Sequence, residues 1–130
     1  MVLNFLFGKR ERKPEVGLLK PQDKDYLAGE WGRVEQLLTA GRPSAYKEAV
    51  ITSDKMLDFA LKGIIAGETM GERLKNAREG FSPEVYQGLW DAHKMRNSLV
   101  HEASFDLTVS VAKDVLAKFQ KGFQSLGVRI

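Results

Sequence analysis

From Gln22 onward, apolar positions recur at helical spacing. Leu27, Trp31, Val34 and Leu38 follow an i, i+4, i+7, i+11 rhythm, and Gly41-Arg42-Pro43 stops it. Gly29 and Gly32 weaken this helix by about 1 kcal/mol each, so it depends on tertiary contacts. Ser44 is a candidate N-cap for a second helix. Its apolar face is Val50, Met56, Leu57, Ala60, Leu61, Ile64 and Ile65, with an end expected at Gly67. A short helix is expected from Thr69 to Ala77, with Met70 and Leu74 four apart. Ser82-Pro83-Glu84 then combines an N-cap, an N1 proline and an acidic first turn, and opens a fourth helix that carries Val85, Leu89 and Trp90. Asp106 or Ser104 can cap a last helix with the stripe Leu107, Val111, Val115, Phe119, Phe123 and Leu126. Four long helices, one short helix and tight turns, without a strand signal or internal repeat, predict an all-α antiparallel bundle of four to five helices.

Residues 1–21 differ from the rest. An apolar Val2-Leu3-Asn4-Phe5-Leu6-Phe7 precedes a basic cluster, and Pro14, Gly17 and Pro21 break any regular element. The division is therefore a flexible apolar and basic segment over 1–21 and a helical bundle over 22–130. The positive charges follow the apolar stretch, the reverse of a secretory signal, and no run reaches the roughly 18 to 20 apolar residues of a membrane span. The segment reads as a mobile tail, as an apolar end packed on the bundle, or as a docking element for a protein partner or an anionic membrane surface.

Composition narrows the functional classes. At 43% hydrophobic and 28% charged residues, the chain can bury a core and is not disordered throughout. There is no cysteine, which excludes disulfides, thiolate nucleophiles and cysteine-bound zinc and makes a cytoplasmic setting the expectation. The formal charge of +3 is carried by residues 9–13, and the remainder balances sixteen Lys and Arg against sixteen Asp and Glu. A strong sequence-blind nucleic-acid binder would show a broad basic field, which the bundle lacks, although a local site remains open.

Polar chemistry concentrates in Trp90-Asp91-Ala92-His93-Lys94-Met95-Arg96-Asn97-Ser98-Leu99-Val100-His101-Glu102. At about 100° per residue, His93, Asn97 and His101 fall within about 80° of one another, in a stripe about 12 Å long that Trp90 adjoins. Two histidines eight apart on one helix cannot share a metal ion, and no carboxylates are nominated to complete a site, so no metal is expected. Ser98 lacks a nucleophile elbow and an oxyanion loop, and phosphate-cradling glycine motifs are absent, so no cofactor is expected. A purely structural account is also available. Arg96 would pair with Glu84, Asp91 or Glu102, Asn97 would bond a neighbouring helix, and His101 would be a helix-end cation. In that account His93 is structural, and Trp31 and Trp90 are core or interface residues.

Arg96-Asn97-Ser98-Leu99-Val100-His101 resembles the signature of HEPN domains: Arg, a polar residue that is often Asn, a few intervening residues, and His. The preceding Ala92-His93-Lys94-Met95, the following Glu102 and the short Gly67–Leu74 segment fit the same pattern, so the resemblance spans roughly residues 22–126. The family fold is a bundle of four or five helices, and many members are metal-independent ribonucleases, some of them toxins. The resemblance implies that His101 is a general base for a ribose 2′-hydroxyl, that Arg96 clamps the phosphate, and that Asn97 orients His101 or bonds the phosphate. His93, Lys94, Trp90 and Glu102 are flanking binding positions. A neutral imidazole and an arginine fork suit these tasks, and DNA could not be cut this way. Arg96 and His101 are five apart, about 140° around a regular helix, so convergence requires a helix end or distortion at His101, a wrapped Arg96, or a second subunit. Family members commonly dimerise with their motifs facing, which implies a two-fold homodimer. One toxin subgroup carries a Tyr two residues after the His, where this chain has Ala103, so regulation through that Tyr is not expected. The alternative to an RNA-cleaving enzyme in a toxin or stress-response setting is a non-catalytic module that binds a nucleotide, a phosphate or a protein.

Overall fold

The computed structural model describes residues 14–102 and 106–130. Val2–Phe7, the basic cluster, Ala103 and the candidate cap Ser104 lie outside the described residues. The bundle comprises α1 (Pro21–Thr39), α2 (Pro43–Ile64), α3 (Met70–Asn76), a 3-10 turn at Arg78–Gly80, α4 (Pro83–His101) and α5 (Val109–Ser125). None of these helices is long and apolar enough to cross a membrane.

The helices α2 and α5 are central. The first packs against α1, α3, α4 and α5, and the second against α1, α2 and α4. Leu27 and Val34 from α1, Leu57 and Leu61 from α2, Leu89 from α4, and Phe119 and Phe123 from α5 are fully buried. Trp31 meets Phe123 edge-on, with ring centroids 5.9 Å apart. Burial of whole Leu and Phe side chains contributes about 1.5–3 kcal/mol each, enough to offset the glycines of α1. Of the segment assigned to 1–21, Leu19 is buried and Gly17 donates its N–H to the Ile64 carbonyl at 2.7 Å, so the packed unit begins before Gln22.

Local signals explain most helix ends, with three corrections. Ser44 does not cap α2. Pro43 occupies the first helical position, Arg42 is the N-cap residue, and no side chain closes that end. The same helix stops at Ile64, before Gly67. A Cβ on Gly67 would lie 2.7 Å from Arg73 Cγ, so this glycine permits the approach of α3 and does not cap α2. At the start of α5, the Thr108 hydroxyl accepts the Val111 N–H at 3.2 Å, a role expected of Asp106 or Ser104. Val111 is exposed, and Ala112 and Leu116 join the buried face.

An ion-pair network fastens α3 to α2. Arg73 donates to Asp58 at 2.7 Å and to the Gly67 carbonyl at 2.9 Å, while Lys62 approaches Asp58 at 3.3 Å. Burial pushes the Asp58 carboxyl up, but the hydrogen bonds and charges of Arg73 and Lys62 outweigh it and hold the group below its ordinary 3.8. Asp58 therefore stabilises the fold fully above that value, and its contribution is lost as pH falls through the lower folded value. Urea unfolding below pH 4 is expected to show a shallower loss of stability with falling pH in Asp58→Asn than in the parent, and equal slopes would refute this role.

The crossing of α4 and α5 depends on Gly122. A Cβ there would sit 2.6 Å from Leu89 Cδ2 and 3.1 Å from Leu89 Cγ, in a fully buried contact. Gly122→Ala gains helix propensity of about 1 kcal/mol but overpacks a core that Leu89 cannot leave. A net destabilisation of about 1–2 kcal/mol is expected in denaturant titration, and a stabilised variant would contradict the close approach.

Candidate functional site

Helix α4 starts as its sequence dictates. Ser82 Oγ accepts the Val85 N–H at 3.3 Å, and Pro83 fills the first helical position without needing a hydrogen-bond partner. Leu89, Ala92 and Leu99 are buried and set the rotation of the helix. That rotation turns His93 and Arg96 toward α2, where Asp54 waits on the buried face.

Asp54 is the organising residue. Its side chain is only 4% exposed, and it receives His93 Nδ1 on Oδ1 at 2.9 Å and Arg96 Nε near Oδ2 at 3.5 Å. A buried carboxylate without partners is strongly disfavoured, so the His93 hydrogen bond and the Arg96 charge from the facing helix are what permit Asp54 to sit there. The Arg96 Nε contact is a charge contact that makes no hydrogen bond. Arg96 Nη1 donates to Asn97 Oδ1 at 3.1 Å, so a second side chain holds the guanidinium. His93 and Arg96 both extend from the buried carboxylate toward the surface, with side chains 14% and 30% exposed. The expected partners Glu84, Asp91 and Glu102 do not engage Arg96, and Asn97 bonds Arg96 rather than a neighbouring helix. The physical reason is the rotation of α4, which directs Arg96 across the helix interface.

Aromatic groups continue from His93 toward the start of α4. Trp90 meets His93 edge-on at 6.2 Å, Tyr86 meets Trp90 edge-on at 6.3 Å, and the Arg78 guanidinium lies 5.6 Å above the Tyr86 ring. Trp90 also abuts α3, 3.7 Å from the place a Cβ on Gly71 would occupy. Lys94 is exposed.

His101 and Glu102 stand apart from this cluster. The helix continues to His101, and Glu102 turns to extended backbone while its N–H bonds the Ser98 carbonyl. Both side chains are exposed, and no hydrogen bond joins His101 to Arg96 among the described residues. The described residues thus bring together Arg96, Asn97, His93 and Trp90, with Asp54 added, and leave His101 one helical turn beyond Asn97. No group of three or more metal-ligating side chains occurs among the described residues. A groove between α4 and α5, bordered by Glu84, Asp91, Lys118 and Lys121, does not include the Arg96 cluster.

Sequence reasoning missed Asp54, although a signal was present. Val50, Asp54, Leu57 and Leu61 share one helical face, so a carboxylate interrupts an otherwise apolar stripe. Such a residue demands a partner, and the partner is 39 positions away. Comparison with protein families, with characterised proteins and with solved structures returns no match to this chain.

Proposed function

We propose that this helical bundle is a HEPN-like protein that acts on RNA as a metal-independent endoribonuclease. Arg96 clamps the phosphate, His101 takes the proton from the ribose 2′-hydroxyl, and Asn97 positions Arg96 beside the reacting group. The observation that carries this reading is the fixed Arg96 guanidinium, held by Asp54 and Asn97, with an exposed imidazole five residues further along the same helix. A pre-oriented fork matches the geometry of a phosphate and needs little rearrangement when charge develops on its oxygens. A second copy with its motif facing the first would complete the site where His101 alone does not reach Arg96. Incubation of the protein with mixed RNA in EDTA tests the reading: fragments ending in cyclic phosphate support it, and intact RNA refutes it.

The alternative is a non-catalytic module that holds a nucleotide or phosphate. It is favoured by one observation, the pairing of Arg96 with a buried carboxylate that already offsets part of its charge. That module would show an RNA- or nucleotide-dependent rise in Tm without turnover.

A further inference from the structure

Cleavage through a 2′-hydroxyl needs two proton transfers, one from the attacking oxygen and one to the leaving 5′ oxygen. The reading above, on which this inference rests, assigns only the first. We infer that His93, oriented by Asp54, is the general acid that protonates the leaving 5′ oxygen.

Two observations converge on His93. Its Nδ1 is committed to Asp54 Oδ1 at 2.9 Å, which fixes the plane of the ring. Its Nε2 makes no hydrogen bond among the described residues and is not among their buried unpartnered atoms, so it is the nitrogen available to a ligand. In the imidazolium form both nitrogens donate, Nδ1 inward to the carboxylate and Nε2 outward. A histidine held in this way by a buried carboxylate has the arrangement that general acid–base chemistry requires.

The spacing supplies the rest. His93 and His101 share a helix face with backbone positions about 12 Å apart, and Asn97 lies midway between them. Arg96 Nη1 is bonded to that same Asn97. Along the helix the Arg96–Asn97 pair therefore lies between the backbone positions of the two histidines. In-line displacement at phosphorus puts the entering and leaving oxygens on opposite sides, so a phosphate at that pair meets its base, His101 of this chain or of a second copy, at one end and its acid, His93, at the other. His101 takes the 2′ proton, the 2′ oxygen bonds to phosphorus, the bond from phosphorus to the 5′ oxygen breaks, and His93 gives that oxygen its proton. The products are a cyclic phosphate and a free 5′-hydroxyl. His101 ends protonated and His93 neutral, and exchange with water restores both.

Asp54 is a positioning residue in this scheme, since it acts through the ring of His93. Trp90 meets the same ring edge-on.

A substrate that needs no general acid distinguishes this role from a structural one. The test compares kcat/KM for an RNA dinucleotide with kcat/KM for a ribonucleoside 3′-(4-nitrophenyl phosphate), whose leaving group departs without a proton, both in EDTA. For His93→Gln the RNA rate is expected to fall about 10²-fold or more, while the aryl ester is turned over within a few-fold of the parent. Asp54→Asn shifts the same ratio in the same direction by a smaller factor. His101→Ala loses both substrates. The ratio within one variant does not depend on the fraction folded, so a destabilised His93→Gln still reports. An active parent with an unchanged ratio in His93→Gln overturns this inference alone. A parent inactive on both substrates overturns the ribonuclease reading and the inference with it.

Discussion

Arg96→Lys is expected to lower RNA cleavage by about 10²-fold or more while leaving the bundle folded. The substitution keeps a cation to offset Asp54, so the helix interface survives, but an ammonium cannot reproduce the planar fork that donates to two phosphate oxygens at once. Arg96→Ala is the poorer probe, because it leaves the 4%-exposed carboxylate with His93 alone and confounds chemistry with stability. His101→Ala is expected to lose about 10²- to 10⁴-fold, the usual contribution of a general base, with no cost to the fold because the ring is exposed. Initial rates on an RNA oligonucleotide in EDTA, beside circular dichroism of each variant, measure both. Retention of parental rates by either folded variant would remove that residue from the mechanism.

The second large effect is on stability, and it separates residues that the sequence motif treats alike. Arg96→Ala should cost about 2–3 kcal/mol, below the roughly 3–5 of a fully buried pair because water reaches its guanidinium. His101→Ala should stay within about 0.5 kcal/mol of the parent, as is usual for an exposed position. The Arg96→Ala cost should shrink in an Asp54→Leu background, where no carboxylate is left stranded, so the two changes are non-additive. Urea titrations with unchanged m-values provide the numbers. Equal costs for Arg96→Ala and His101→Ala, or strict additivity with Asp54→Leu, would show that Asp54 does not organise this end of the bundle.

The legible parts of the sequence were those governed by local physics. Ser82-Pro83 opened α4 as read, because cap and proline act within one turn. The apolar face of α2 is buried at every position assigned from Val50 to Ile65. Misreadings arose where a residue's role was set from a distance. Gly67 resembled a helix cap but accommodates Arg73, and Thr108 caps α5 two positions beyond Asp106. The site divides in the same way. The polar stripe on α4 follows from helical spacing, and the adjacency of Arg96 and Asn97 is a matter of sequence. Its anchor, Asp54, belongs to another helix, and only the rotation of α4 about its buried Leu89 and Leu99 decides that Arg96 turns toward it.

In the proposed reaction, phosphate held at Arg96 is attacked by a neighbouring ribose 2′-hydroxyl without a metal ion. The most direct measurement offers the purified protein an RNA oligonucleotide and the DNA oligonucleotide of the same sequence, both in EDTA, and examines the fragment ends. RNA is expected to be cut to products with cyclic phosphate and 5′-hydroxyl ends while DNA stays intact. Cleavage of both strands, or of neither, would contradict it.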